Sequence, residues 1–127
     1  MIQQQNTYQF LDDLESALSW LYLKAIEDGK NPNKYEQEFK AELLGLVSRV
    51  MENPLLYPPY SAVNPVRRAV FYHGNYIVEF QVIPMAVKNR NEVKEVTFSA
   101  LLPARSGKYN GAYNDLVFTE FDPDEED

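Results

Sequence analysis

A chain of 127 residues with 45% apolar content is long enough for one hydrophobic core and too apolar to be disordered. It has no cysteine, which excludes a disulfide framework and a thiolate metal site, and its single histidine argues against a His-based zinc site. The net charge of −7 resides in the last residues: Asp115, Glu120, Asp122, Asp124, Glu125, Glu126 and Asp127 carry it, and the other twelve acids balance the twelve bases. The overall acidity therefore neither favours nor excludes a nucleic-acid partner for the body. The sequence has no run of about 18 apolar residues that could cross a membrane. Met1-Ile2-Gln3-Gln4-Gln5 lacks a basic n-region and an apolar h-region, so the expected location is the cytoplasm.

In chain order, residues Gln3 to Gln9 allow an edge strand, although glutamine is a poor strand former. A helix is predicted from Phe10 to Glu27, with Leu11, Leu14, Leu18, Leu21 and Ala25 on its inward face. Asp12, Asp13 and Glu15 are expected in its first turns, complementing the helix dipole. Gly29 is the expected left-handed cap. Asn31 followed by Pro32 marks the start of a second helix, with Tyr35, Phe39, Leu43, Leu46 and Val50 as its apolar row. Asn53-Pro54 ends it. The short connection makes the two helices an antiparallel hairpin.

Pro54 to Pro65 reads as an irregular loop that packs on the core through its aromatic and leucine side chains. The period then becomes two. Val66 to Tyr72 is a predicted strand, and His73-Gly74-Asn75 a turn. In the next strand Tyr76, Val78, Phe80 and Val82 face the core, opposite Ile77, Glu79 and Gln81, and Pro84 ends it. After the polar turn Lys88–Glu92, a third strand runs from Val93 to Leu102 with Val96, Phe98 and Ala100 inward. Beyond Gly111 come a short apolar patch, Leu116-Val117-Phe118, and an acidic run. The expected fold class is α+β: an N-terminal antiparallel helical hairpin packed on a small antiparallel sheet of three to four strands. Residues 1–110 form the domain and residues 111–127 an acidic tail.

Several motifs, taken in order, resemble the RelE/ParE superfamily of type II toxin–antitoxin toxins. Asp13-Leu14 with Ala17 and Trp20-Leu21 is similar to the family's first helix, and Glu52-Asn53-Pro54 with Tyr57-Pro58 to the loop closing its hairpin. Val66-Arg67-Arg68 and then Gly74-Asn75-Tyr76-Ile77-Val78-Glu79-Phe80 resemble its basic strand, turn and Tyr-x-[IV]-x-[YF] strand. Arg105 and Tyr109 stand where the family often has an arginine and a tyrosine. The long hairpin and the Asn-Pro loop are nearer to ParE-like members, the plasmid-stabilisation proteins. The resemblance implies a growth-inhibiting toxin without a cofactor, neutralised by a cognate antitoxin. ParE-like members poison DNA gyrase; RelE-like members cut messenger RNA on the ribosome. Homodimer formation is left open. The apolar Ile77, where RelE-like nucleases often carry a basic residue, and the neutral body both depart from the pattern.

The candidate residues each have a plainer reading. Arg67 and Arg68 are adjacent on a strand and so point to opposite faces; the inward one would need a carboxylate partner, and the outward one suits a phosphate or an acidic partner. Glu79 beside an arginine suits base and transition-state stabiliser in RNA cleavage, or a cross-strand ion pair. His73 suits acid–base work, or is an exposed turn residue. Arg105, Lys108 and Tyr109 suit phosphate holding and base stacking, or form an ordinary loop. Target or antitoxin binding is assigned to Arg67, Arg68, Arg105, Lys108 and Tyr109; catalysis, in the RelE-like case, to Glu79, Arg105 and Tyr109.

Overall fold

Thr7 is where the chain turns from strand to helix, and its bonds fix that junction on the sheet. In the computed structural model, which describes residues 1–104, strand β1 (Gln3–Asn6) leads into helix α1 (Tyr8–Glu27). The Thr7 hydroxyl caps α1 by accepting from the Phe10 N–H at 3.0 Å and donates to the Ser99 carbonyl at 3.2 Å. The Thr7 N–H donates to the Phe98 carbonyl. One small residue thereby ties strand, helix and sheet together.

Helix α2 (Pro32–Glu52) follows a tight connection. Gly29 there takes φ +72°, a left-handed conformation that costs glycine nothing. The Asn31 side chain caps α2 by accepting from the Asn33 and Lys34 N–H groups. A short 3₁₀ turn (Pro54–Leu56), a loop, and strands β2 (Arg67–Phe71), β3 (Tyr76–Ile83) and β4 (Glu95–Pro103) complete the described chain. The sheet order is β1-β4-β3-β2. The strands β2, β3 and β4 form the expected antiparallel meander, but β1 runs parallel to β4, so the sheet is mixed rather than antiparallel. The parallel pairing follows from connectivity: the whole helical hairpin crosses over between β1 and the meander.

Both helices cover one face of the sheet. From α2 the core takes Phe39, Leu43, Leu46 and Val50; from the sheet, Ala69, Phe71, Val78, Phe80, Val82, Val96, Phe98 and Leu101. Two inward rows need correcting. In α1 the buried row is Phe10, Ala17, Leu21 and Ala25, with the expected Leu14 and Leu18 partly buried against the core, whereas Leu11 is 45% exposed. Apolar residues occupy two sides of this helix, and the side led by Phe10 faces the sheet, its ring 5.8 Å from that of Phe98. Because the helix starts at Tyr8, its first turn holds no acid. Asp13 does other work: its Oδ2 accepts from the Leu101 N–H at 3.0 Å.

In β4 the inward set is Val96, Phe98 and Leu101, not Ala100. A bulge causes the change: Glu79 opposes Ala100 while Phe80 opposes Phe98, leaving Ser99 as the extra residue. Thr7 and Asp13 bond the backbone on either side of the bulge, and the Ser99 hydroxyl reaches the Glu79 carbonyl at 3.3 Å. Among the described residues no helix is long and apolar enough to cross a membrane.

Candidate functional site

Arg67 and Arg68 separate as the strand geometry demands. Arg67 turns to the helix side and is 8% exposed. Its Nη1 donates to the Tyr57 carbonyl at 2.6 Å, and its buried Nε has no hydrogen-bond partner among the described residues. Burial pushes its pKa down. The expected carboxylate partner is replaced by a backbone carbonyl, because the loop after α2 folds back along β2 and presents its main chain there. Pro59 bridges to Arg67 and the Tyr60 N–H donates to the Val66 carbonyl. Arg67 thus braces the loop after α2 against β2.

Arg68 lies on the opposite, exposed face, directly across from Glu79 in the β2–β3 register. Between them stands Tyr60, which the sequence did not single out. The Arg68 guanidinium sits 4.1 Å from the centre of the Tyr60 ring, and the Tyr60 hydroxyl donates to Glu79 Oε2 at 3.3 Å. The loop builds this position itself. The Ser61 hydroxyl accepts from the Val63 and Asn64 N–H groups, and the Asn64 side chain accepts from the Val66 N–H. An aromatic residue in the irregular stretch after a proline-terminated helix gave no signal; only the folded loop places Tyr60 on the arginine.

Glu79 is half-buried, and burial raises its pKa; the Tyr60 hydrogen bond and Arg68 pull it back down, while Asp13 adds to the rise. The sign for stability is clear. A carboxyl with a raised folded pKa stabilises the protonated fold, and that stability is lost as pH rises from the ordinary carboxylate range through the raised value. Glu79→Gln is therefore expected to be slightly more stable than the parent at neutral pH, by less than about 1 kcal/mol. The two should converge below the carboxylate range. Urea unfolding at several pH values checks this, and a neutral-pH loss on substitution would reverse the sign.

His73 is exposed at the hairpin tip, where Tyr72, His73 and Gly74 all have positive φ (56°, 58° and 80°). It lies beyond the β2–β3 pairs Val70–Ile77 and Phe71–Tyr76, so about 10 Å of strand or more separates it from Glu79. Its role in the turn, next to the Tyr72 ring, accounts for it without chemistry. Arg105, Lys108, Tyr109 and the acidic tail lie outside the described residues. The described residues contain no cluster of histidine and carboxylate groups that would hold a metal ion.

The site is therefore a polar group of Tyr60, Arg68 and Glu79 on the face away from the helices. It adjoins the exposed Val70 and the sheet edge formed by β2. Arginine and tyrosine side by side are the residues that interfaces favour, and the Glu79 carboxylate that accepts from the tyrosine fixes its orientation. No protein-family model matches this chain, and no curated protein matches it.

Proposed function

We propose that this chain is a ParE-like toxin-module protein: it inhibits growth by binding a target protein such as DNA gyrase, and an antitoxin neutralises it. The observation that carries this reading is the outward trio of Tyr60, Arg68 and Glu79, whose groups bond one another on a sheet face the helices leave uncovered. Such a surface suits protein contact more than bond cleavage, since Arg67 turns inward and His73 sits at the far end of the hairpin. The motif order and the helical hairpin that precedes the meander support the same reading.

A specific feature favours a second reading. A half-buried carboxyl with a raised pKa beside an arginine is what a general base for RNA cleavage needs, and Glu79 has that setting. The two readings separate in one experiment. Cells expressing the chain alone should stop growing, and Arg68→Ala should restore most of the growth, as expected when an interface anchor worth about 2 kcal/mol or more is removed. Messenger RNA on translating ribosomes should remain intact. Cleavage abolished by Glu79→Gln would move the assignment to the RelE-like nuclease, and unaffected growth would remove both in favour of a non-toxic binding protein on the same fold.

A further inference from the structure

The two edges of the sheet are unlike. Strand β1 is the outer strand on one side and β2 on the other. In β1 the Gln3 N–H donates to the Lys94 carbonyl at 2.9 Å, and just past the strand the Thr7 N–H donates to the Phe98 carbonyl at 3.0 Å. Backbone groups alternate in direction along a strand, so those of Gln3, Gln5 and Thr7 point to β4 and those of Ile2, Gln4 and Asn6 point away from the sheet. Among the described residues no strand pairs with that outer side. The edge also lacks the usual protection: β1 holds no proline and no bulge, and no charged side chain precedes Asp12. The β2 edge is covered where it starts. Pro59 bridges to Arg67, and the Tyr60 N–H donates to the Val66 carbonyl at 2.9 Å.

We propose that β1 pairs with β1 of a second copy, antiparallel about a two-fold axis through Gln4, joining the two sheets into one. The strand suits a copy of itself because all four of its side chains, Gln3, Gln4, Gln5 and Asn6, are primary amides, each both donor and acceptor. With Gln4 on the axis, Ile2 faces the partner's Asn6, and the outward backbone groups form about six N–H···O bonds. Gln3 then stands opposite the partner's Gln5 on the outer face. Gln4 stands opposite the partner's Gln4 on the face of Val96 and Phe98. The Gln4 Nε2 already donates to Asn6 Oδ1 at 3.3 Å, which leaves its amide oxygen for the partner. The neighbouring register, with Gln4 opposite the partner's Asn6, would set Ile2 against Tyr8, where the chain is already helical, and forms fewer bonds.

Other exposed surface specifies a partner less well. Leu44, Leu56, Val70, Ile83 and Met85 are exposed, but they sit on five different segments, and single apolar side chains are ordinary surface. A row of outward backbone donors and acceptors asks for another strand. Pairing at β1 also brings no like charges together, in a chain of net charge −7. Because the loop covers the start of β2, extension stops at two copies instead of running on through β1–β2 contacts. The Tyr60, Arg68 and Glu79 trio stays open at both far ends of the joined sheet, so the pairing does not depend on what the trio binds. Four residues a side bury less than a standard interface, and the association is correspondingly weak.

Sedimentation equilibrium of the full chain tests this. The weight-average mass should rise with concentration from 14.7 kDa and level off at twice that value. Gln4→Pro removes an outward N–H and leaves those of Gln3, Gln5 and Thr7 to β4. It should weaken association about tenfold or more with the unfolding midpoint little changed. A pair of charge variants tests the register without touching the backbone, and decides alone if Gln4→Pro lowers the midpoint. Gln3→Lys with Gln5→Glu sets opposite charges across the axis and should dimerise more tightly than Gln3→Lys with Gln5→Lys, which sets like charges there. Salt at about 1 M should narrow that gap. A mass that stays at 14.7 kDa at every concentration, a dimer that a folded Gln4→Pro leaves intact, or equal dimerisation of the two charge variants overturns the proposal. A mass that climbs past the dimer without limit shows open-ended stacking and overturns it as well.

Discussion

Phe39→Ala should cost about 3–5 kcal/mol, a large part of the stability of a domain this size. Phe39 is fully buried, with its ring 5.2 Å from Phe71, 5.1 Å from Tyr72 and 5.0 Å from Tyr76. Two of these three contacts are edge-on, the favoured geometry for aromatic pairs. Truncation therefore removes both the transfer term of a ring and the packing that holds Tyr72 in its left-handed turn conformation. Thermal unfolding should show a midpoint lower by about 15 °C or more, or no cooperative transition. Leu44→Ala on the same helix, 67% exposed, should stay within about 0.5 kcal/mol of the parent. If the two variants lost similar amounts, α2 would not be anchored on the β2–β3 hairpin through Phe39.

Phe39 was legible in the sequence for a physical reason. The α2 row has few apolar residues off its inward face, so of the five that helical spacing picks out, Phe39, Leu43, Leu46 and Val50 are buried and Tyr35, near the start of the helix, is partly exposed. The α1 row misled at its first residue because Leu11, Tyr22 and Ile26 give that helix a second, exposed apolar side, whereas Leu14 and Leu18 pack against the core; periodicity finds both sides and cannot rank them. Only the partner decides, and Phe98 meets Phe10. In β4 a strict period of two carried the inward set past Phe98 to Ala100, and the Ser99 bulge broke it. No local residue announces that bulge; its supports, Thr7 and Asp13, are some ninety residues away in sequence. For the candidate site, alternation correctly separated Arg67 from Arg68 and placed Glu79 on the outer face, since those follow from strand geometry. Tyr60 was missed because its position depends on how an irregular loop folds back on β2.

Arg67 gives the second large effect, and its direction depends on what replaces it. The buried guanidinium donates to the Tyr57 carbonyl, its Nε has no partner, and it forms no ion pair among the described residues. Desolvating a cation without a counter-charge costs several kcal/mol, more than the roughly 1–3 kcal/mol of an unsatisfied carbonyl. Arg67→Met keeps most of the side-chain volume and removes the charge, so its stability should equal or exceed the parent's by up to about 2 kcal/mol. Arg67→Ala leaves a cavity and an orphan Tyr57 carbonyl together, so it should lose about 2–4 kcal/mol. Urea unfolding of the pair measures both. The same variants divide structure from function at this strand: a folded Arg67→Met should act on growth as the parent does, whereas Arg68→Ala, one residue along and on the other face, should not. Loss of activity in a fully folded Arg67→Met would show that the inward arginine reaches the partner after all, and the outward trio would then not be the whole contact.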